Sequence, residues 1–205
     1  MADELVLYTN PQSRGRVARW MLEEIGEPYR TEVLEYGTSM KSPEYLAINP
    51  MGKVPAITHG GQVVTECAAI CAYLADTFPE AGLKPAPDER ANYYRWLFFA
   101  AGPLEAAITD SRLLGVEPDA EKQRMIGYGS YAAVIDALAK AFKANVYVAG
   151  DRFTAADVYV GAQISWGLDF GTIEKRPEFQ DYADRIGQRQ AFHRAAELDE
   201  KLVKA

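Results

Sequence analysis

Two cysteines and two histidines in 205 residues leave little material for a metal centre or a disulfide framework. Cys67 and Cys71 fall four apart in a stretch of helical periodicity, and neighbouring turns of one helix are a poor geometry for a bridge. His59 and His193 lie far apart, and neither a CxxC nor an HxxxH spacing occurs, so no metal is expected. An excess of basic residues is also missing. Twenty-two Lys and Arg face 29 Asp and Glu, for a net charge of −7 and a pI near 5.0. That balance argues against a nucleic-acid or anionic-membrane partner, since both need a basic footprint. No apolar run approaches the ~20 residues of a membrane span. The Met1 to Leu5 start shows neither the basic nor the apolar region of a secretory signal, so the chain is expected in the cytoplasm.

What is present is an ordinary soluble composition, 48% hydrophobic and 25% charged, long enough for one large domain or two small ones. Glu4 to Tyr8 is apolar and β-prone, and Thr9 to Ser13 follows as a loop. Ser13 is placed to cap a helix running to about Ile25, with Val17, Trp20, Met21 and Ile25 on one face and Gly26 as its C-terminal stop. Tyr29 to Leu34 reads as a second strand and Lys41 to Ile48 as a short helical or irregular piece. In the stretch from Asn49 to Cys67, Asn49-Pro50 and Met51-Gly52 are turn signals, and Val54 to Ile57 is a short apolar run. Gly60-Gly61 reads as a hairpin turn into a strand from Gln62 to Thr65. Glu66 to Phe78 is the next helix, its apolar face read as Ala69, Ile70, Tyr73 and Leu74. The order is therefore β-α-β-(α)-β-β-α.

Residues 79–88 carry three prolines and a glycine and read as a linker. Beyond them the apolar period is 3.6 throughout. Helical segments are predicted over 90–114, 120–143, 154–170 and 177–204, the last broken near Gly187. Thr154-Ala-Ala-Asp157 fits a capping box ahead of an apolar run, so Asp157 is read as structural. A small α/β half, 1–78, thus precedes a larger all-α half, 89–205.

The order and spacing of the NPMGKVP segment, the TECAAICAYL helix, the Pro-rich linker and the FTAADV box resemble the cytosolic glutathione transferases over essentially the full length. The first half, with its NPQSRGR loop, resembles the bacterial branch. The resemblance implies a thioredoxin-like N-terminal domain followed by a C-terminal helical bundle domain, with glutathione as co-substrate and a homodimeric assembly. It implies that Pro55 is cis, presenting the backbone of Val54 to the cysteinyl part of glutathione. It gives Glu66 and Cys67 the task of holding the γ-glutamyl end at a helix N-terminus. Cys67 stands where the family carries a hydroxyl, and a thiol is a weak donor, so the backbone N–H must carry more of the carboxylate. Lys53, with Lys41 or Gln12, is implied for the glycyl carboxylate.

Chemistry on glutathione needs its thiolate. Lowering a thiol by about two pKa units needs ~2.7 kcal/mol, whereas one neutral hydrogen bond gives ~0.5–1.5 and a helix N-terminus ~0.3–1. A cation is therefore wanted near the first loop, and Arg14 and Arg16 are at hand. Ser13 matches the serine-type donor to the sulfur, and Asn10 is the alternative. Tyr8, at a strand end, reads as core.

The second substrate, a hydrophobic electrophile, is expected on the aromatic first helix of the α half, with Tyr93, Phe99 and Trp166 as candidate contacts. Two alternatives stay open: a thiol–disulfide reductase, for which Cys67 is the only stand-in nucleophile, and a non-catalytic glutathione-binding or stress-associated protein.

Overall fold

The structure, a computed structural model, describes residues 4–204. Residues 1–3 of the N-terminal stretch read for a secretory signal lie outside that range. Two compact units emerge: residues up to Lys84 together with those from Gln188 onward, and Pro85–Gly187.

The first unit is a four-stranded sheet with helices. Its strands are β1 (Leu5–Thr9), β2 (Arg30–Val33), β3 (Ala56–His59) and β4 (Gln62–Thr65), in the order β2-β1-β3-β4. β1 and β2 are parallel, as a crossover through helix α1 (Gly15–Ile25) requires, whereas β3 and β4 run antiparallel to their neighbours. Gly60 and Gly61 take φ values of 55° and 80°, the pair of left-handed residues that a two-residue hairpin matching the strand twist needs. α2 spans Pro43–Ile48 and α3 spans Cys67–Thr77. The sheet and helices close over Leu7, Met21, Leu22, Ile57, Ile70 and Leu74, all fully buried. Each such side chain contributes about 1.5–3 kcal/mol on burial.

Several local expectations shift. The apolar run at Val54 is not yet strand: β3 starts at Ala56, opposite Tyr8, after a cis Val54–Pro55 bond. The buried face of α3 is Ile70, Cys71, Leu74 and Ala75, while Ala69 is exposed, so the stripe is turned toward the second cysteine. Burial pushes the Cys71 thiol well above its ordinary pKa, which leaves it a packed, inert side chain.

The second unit holds α4 (Arg90–Phe99), a π-helical turn at Ala100–Leu104, α5 (Glu105–Ile108), and a second π-helical turn at Thr109–Leu113. The first π turn carries Pro103 along an otherwise continuous helical path. The segment predicted over 120–143 divides into α6 (Ala120–Met125) and α7 (Tyr131–Ala144). Gly127 and Gly129 lie in the break, and the Ser130 hydroxyl restarts the helix by accepting the Ala133 N–H. α8 (Ala155–Phe170) starts at the predicted capping box, and α9 (Pro177–Gly187) and α10 (Gln190–Val203) separate at Gly187.

The sequence reading assigned 89–205 to the helical half. In the structure α10 packs on α1 in the first unit, with the Trp20 and Phe192 rings 4.9 Å apart edge to face. Three ion pairs join the two helices, Arg16–Glu200, Arg19–Asp199 and Glu23–Arg194, and a fourth ties Glu24 to Arg189, the N-cap of α10.

Candidate functional site

The first loop is held by its own polar groups. The Asn10 side chain is buried, its amide donating to the Leu34 carbonyl at 2.9 Å and its oxygen accepting the Gln12 N–H at 2.9 Å. Asn10 is thus a strut between the loop and the end of β2. The Ser13 hydroxyl donates to the Asn10 carbonyl at 2.6 Å and accepts the Gly15 N–H at 2.9 Å. Arg14, not Ser13, occupies the N-cap position of α1, so Ser13 stands one residue earlier than the sequence places it. The reason is a tight first turn, in which Ser13 and Arg14 carbonyls accept from Arg16 and Val17. Gly15 is required by close approach: a Cβ there would lie 1.9 Å from Thr9 Oγ1.

Arg14 is exposed, and its carbonyl receives the Cys67 thiol at 3.7 Å. That contact brings the first loop to the start of α3. Glu66, the N-cap of α3, has φ 67° and ψ 124°; it is the one non-glycine at positive φ among the described residues. Such a backbone costs on the order of 1–3 kcal/mol and persists only where the surroundings impose it. The Glu66 side chain is exposed and makes no capping hydrogen bond to this helix end. A helix N-terminus so arranged presents backbone donors and a positive dipole end to an anion. Cys67 is buried at 7% exposure, its thiol turned to the Arg14 carbonyl.

The loop before Pro55 is clamped from below. The Lys53 carbonyl accepts from the Tyr45 hydroxyl at 2.6 Å and from the Asn49 amide at 2.8 Å. Burial pushes the Tyr45 hydroxyl up to about 12, so it remains a donor at any physiological pH. Val54 packs on Met40, Tyr45 and Ala56, and Tyr8 joins the same cluster, its ring 5.7 Å from Tyr45. The Lys53 side chain is exposed. Lys41 is exposed as well and donates to the Met51 carbonyl at 3.0 Å. Tyr45 and Asn49 were missed as site supports. The Asn49-Pro50 turn marked the place, but nothing nearby in sequence pointed to the Lys53 carbonyl.

Of the two arginines expected near the sulfur, Arg16 is turned to the loop and to α10. Arg16 Nε donates to the Pro11 carbonyl at 2.7 Å and Nη2 to Glu200 at 2.8 Å. Of the candidates in the helical unit, Tyr93 is buried at 2% exposure and is a packing residue. Phe99 and Trp166 are half-buried, the Phe99 ring standing edge-on to Trp96 at 5.1 Å. His59 is occupied structurally, its Nδ1 2.9 Å from the Tyr73 hydroxyl. Among the described residues no group of three His, Cys, Asp or Glu could hold a metal ion, and no helix is long and apolar enough to cross a membrane.

A βαβ-ββα sheet unit with an N-terminal helix end beside a cis-proline loop, joined to a helical unit, defines a two-part thioredoxin-like architecture. Family models for the glutathione S-transferase N-terminal and C-terminal domains match residues 14–77 and 104–190. The chain is 31% identical over 209 residues to glutathione S-transferase 3 of Zea mays, covering 93% of this chain and 92% of that protein. It is 30% identical over 188 residues to a maleylacetoacetate isomerase of Rhizobium meliloti, covering 82% and 86%. A sphingomonad glutathione S-transferase complexed with glutathione superposes with a TM-score of 0.77 at 26% identity, over 95% of this chain and 98% of that one. The chain belongs to the glutathione S-transferase family.

Proposed function

We propose that this chain binds glutathione in its first unit and delivers the activated thiol to a hydrophobic electrophile, working in the cytoplasm as a homodimer. The observation that carries the reading is the N-terminus of α3, where Glu66 is held at φ 67° with its side chain turned away from the cap, beside the clamped Val54–Pro55 loop. In this reading the helix end takes the γ-glutamyl carboxylate, Glu66 the α-ammonium and the Val54 backbone the cysteinyl unit. Lys53 and Lys41 attract the glycyl carboxylate. The likeness to a relative solved with glutathione supports glutathione as the ligand. Glu66→Gly is then expected to raise stability by about 1 kcal/mol through relief of the backbone. The same change removes an ion pair to the ligand and weakens glutathione binding about tenfold. Calorimetric titration and denaturant unfolding on one preparation check both signs, and unchanged affinity removes Glu66 from the site.

Activation falls to Ser13, the N-terminus of α1 and the Arg14 cation. The Ser13 proton rests on a neutral carbonyl, so donating to the sulfur means exchanging that acceptor for a thiolate. A charged acceptor improves a hydrogen bond by about 1 kcal/mol, and Ser13→Ala should therefore lower conjugation of a reactive haloarene about five- to tenfold at neutral pH. Glutathione affinity should hold. A variant as fast as the parent rejects Ser13 as the donor.

The helical unit supplies apolar surface for the electrophile, with Phe99 and Trp166 the half-covered side chains. The likeness to a maleylacetoacetate isomerase supports a second reading, glutathione-dependent isomerisation of an unsaturated acid at the same site. Assaying a cis-enedione acid beside the haloarene separates the two. The reductase reading is weakened by the absence of any cysteine in 8–16 and by the burial of Cys67. Light scattering tests the dimer, and a monomeric mass contradicts it.

A further inference from the structure

The carbonyls of the first loop are spoken for, and one of them is held from the other end of the chain. Pro11 is buried between Asn10, whose carbonyl takes the Ser13 proton, and Gln12, whose carbonyl accepts from Tyr36 at 3.3 Å. Its own carbonyl is gripped by Arg16 Nε at 2.7 Å, and the same guanidinium reaches Glu200 at 2.8 Å, 184 positions away in α10. Glu200 is a fixed point because its end of α10 is pinned along α1 by the neighbouring pairs Arg19–Asp199 and Glu23–Arg194. The Arg16 and Glu200 side chains are 29% and 52% exposed, and ion pairs so open to water add little to stability. What the arrangement does is geometric. A planar guanidinium can bond a loop carbonyl and a carboxylate along one edge in fixed directions, which a lysine ammonium cannot.

We propose that Arg16 and Glu200 are positioning residues, through which the C-terminal helix holds the Pro11 carbonyl and so sets where the Ser13 hydroxyl stands. The proposal rests on the reading of the first loop as the thiol-activating element. Arg16 acts through Pro11 and Glu200 through Arg16; neither touches the sulfur in this account.

The test uses Glu200→Ala, Glu200→Gln, Arg16→Lys and, as a comparison at the far end of the same helix pair, Arg189→Gln. Two readouts are taken on the full-length chain: the pH profile of haloarene conjugation with kcat and KM for glutathione, and amide hydrogen exchange at Gln12 and Gly15 without ligand. Glu200→Ala and Arg16→Lys are expected to lower kcat about tenfold at neutral pH and move the profile to higher pH, with KM for glutathione within about twofold. Exchange at Gly15 and Gln12 should quicken about tenfold in the same variants. Glu200→Gln, which keeps an acceptor oxygen, should restore part of both, and Arg189→Gln should change neither. Unaltered exchange in Glu200→Ala overturns the proposal, as does the same pH displacement in Arg189→Gln. Failure of the parent protein to turn over any electrophile would instead count against the proposed function, and the exchange readout would still decide the positioning claim.

Discussion

Asp199→Ala is expected to destabilise the first unit by about 3–5 kcal/mol, because it strands the Arg19 guanidinium in the core. The two side chains are 3% and 1% exposed, and Arg19 Nε donates to Asp199 Oδ1 at 2.7 Å. Arg19 Nη1 also bonds the Tyr29 hydroxyl at 3.1 Å and Thr31 at 3.3 Å, so its charge has partners on β2 and the residue before it as well as on α10. Burial pushes the Asp199 carboxyl up and the Arg19 charge pulls it back. Arg19 Nη2 and Asp199 Oδ2 are buried without a partner among the described residues, so this pair is not fully satisfied and carries an uncompensated desolvation cost. The consequence is an asymmetry that denaturant unfolding can read. The double replacement Arg19→Met with Asp199→Leu should cost far less than Asp199→Ala alone, since it removes both charges together. Equal losses in the single and double variants would mean that the packing of α10, not the buried charge, sets the cost.

Asp157→Ala is expected to cost about 3 kcal/mol or more, well beyond the 0.5–2 kcal/mol of a lost helix cap. Its carboxylate receives four donors: the Val148 N–H at 2.8 Å, the Thr154 N–H at 2.9 Å, the Thr154 hydroxyl at 3.1 Å and the Tyr182 hydroxyl at 2.9 Å. Truncation leaves these buried groups unmade, at about 1–3 kcal/mol each before relaxation. Burial outweighs those bonds on the titration and holds Asp157 up at about 6. A folded-state pKa above the unfolded one adds stability below about pH 4, and this is lost as pH rises through 6. From 3.8 to about 6 that contribution is at most about 3 kcal/mol. The gap between parent and Asp157→Ala should therefore be widest near pH 4 and narrow toward pH 7. A gap that widens with rising pH would show a carboxyl titrating below its ordinary value.

The capping box was legible because its four residues sit together, whereas the Val148 and Tyr182 donors that raise its worth come from 9 and 25 positions away. The Gly60-Gly61 hairpin, the stop at Gly26 and the break at Gly187 were legible for the same reason: a turn is chosen by the residues within it. The strand and helix order of the first half and the cis bond before Pro55 agree with expectation. At the candidate site, the places were readable and the bonds were not. Ser13 was marked, but the destination of its proton is the Asn10 carbonyl, which depends on a loop closing over itself. Arg16 was marked as a cation, but it is held by Glu200, which no local signal joins to it.

By itself, then, the sequence determined most of the elements, their order and the two kinds of half, and it marked the stretch from Asn49 to Cys67 as the candidate binding segment. Those follow from periodicity and turn chemistry over a few residues, together with a recognisable spacing of motifs. The tertiary structure alone decided that the last helix belongs with the first sheet, that Tyr93 is packing, and which groups hold the first loop. Pairs separated by some 165 to 184 positions, such as Glu24–Arg189 and Arg16–Glu200, leave no local pattern. An arginine on an amphipathic helix looks the same in sequence whether it faces water, a thiolate or a carboxylate from the far end of the chain.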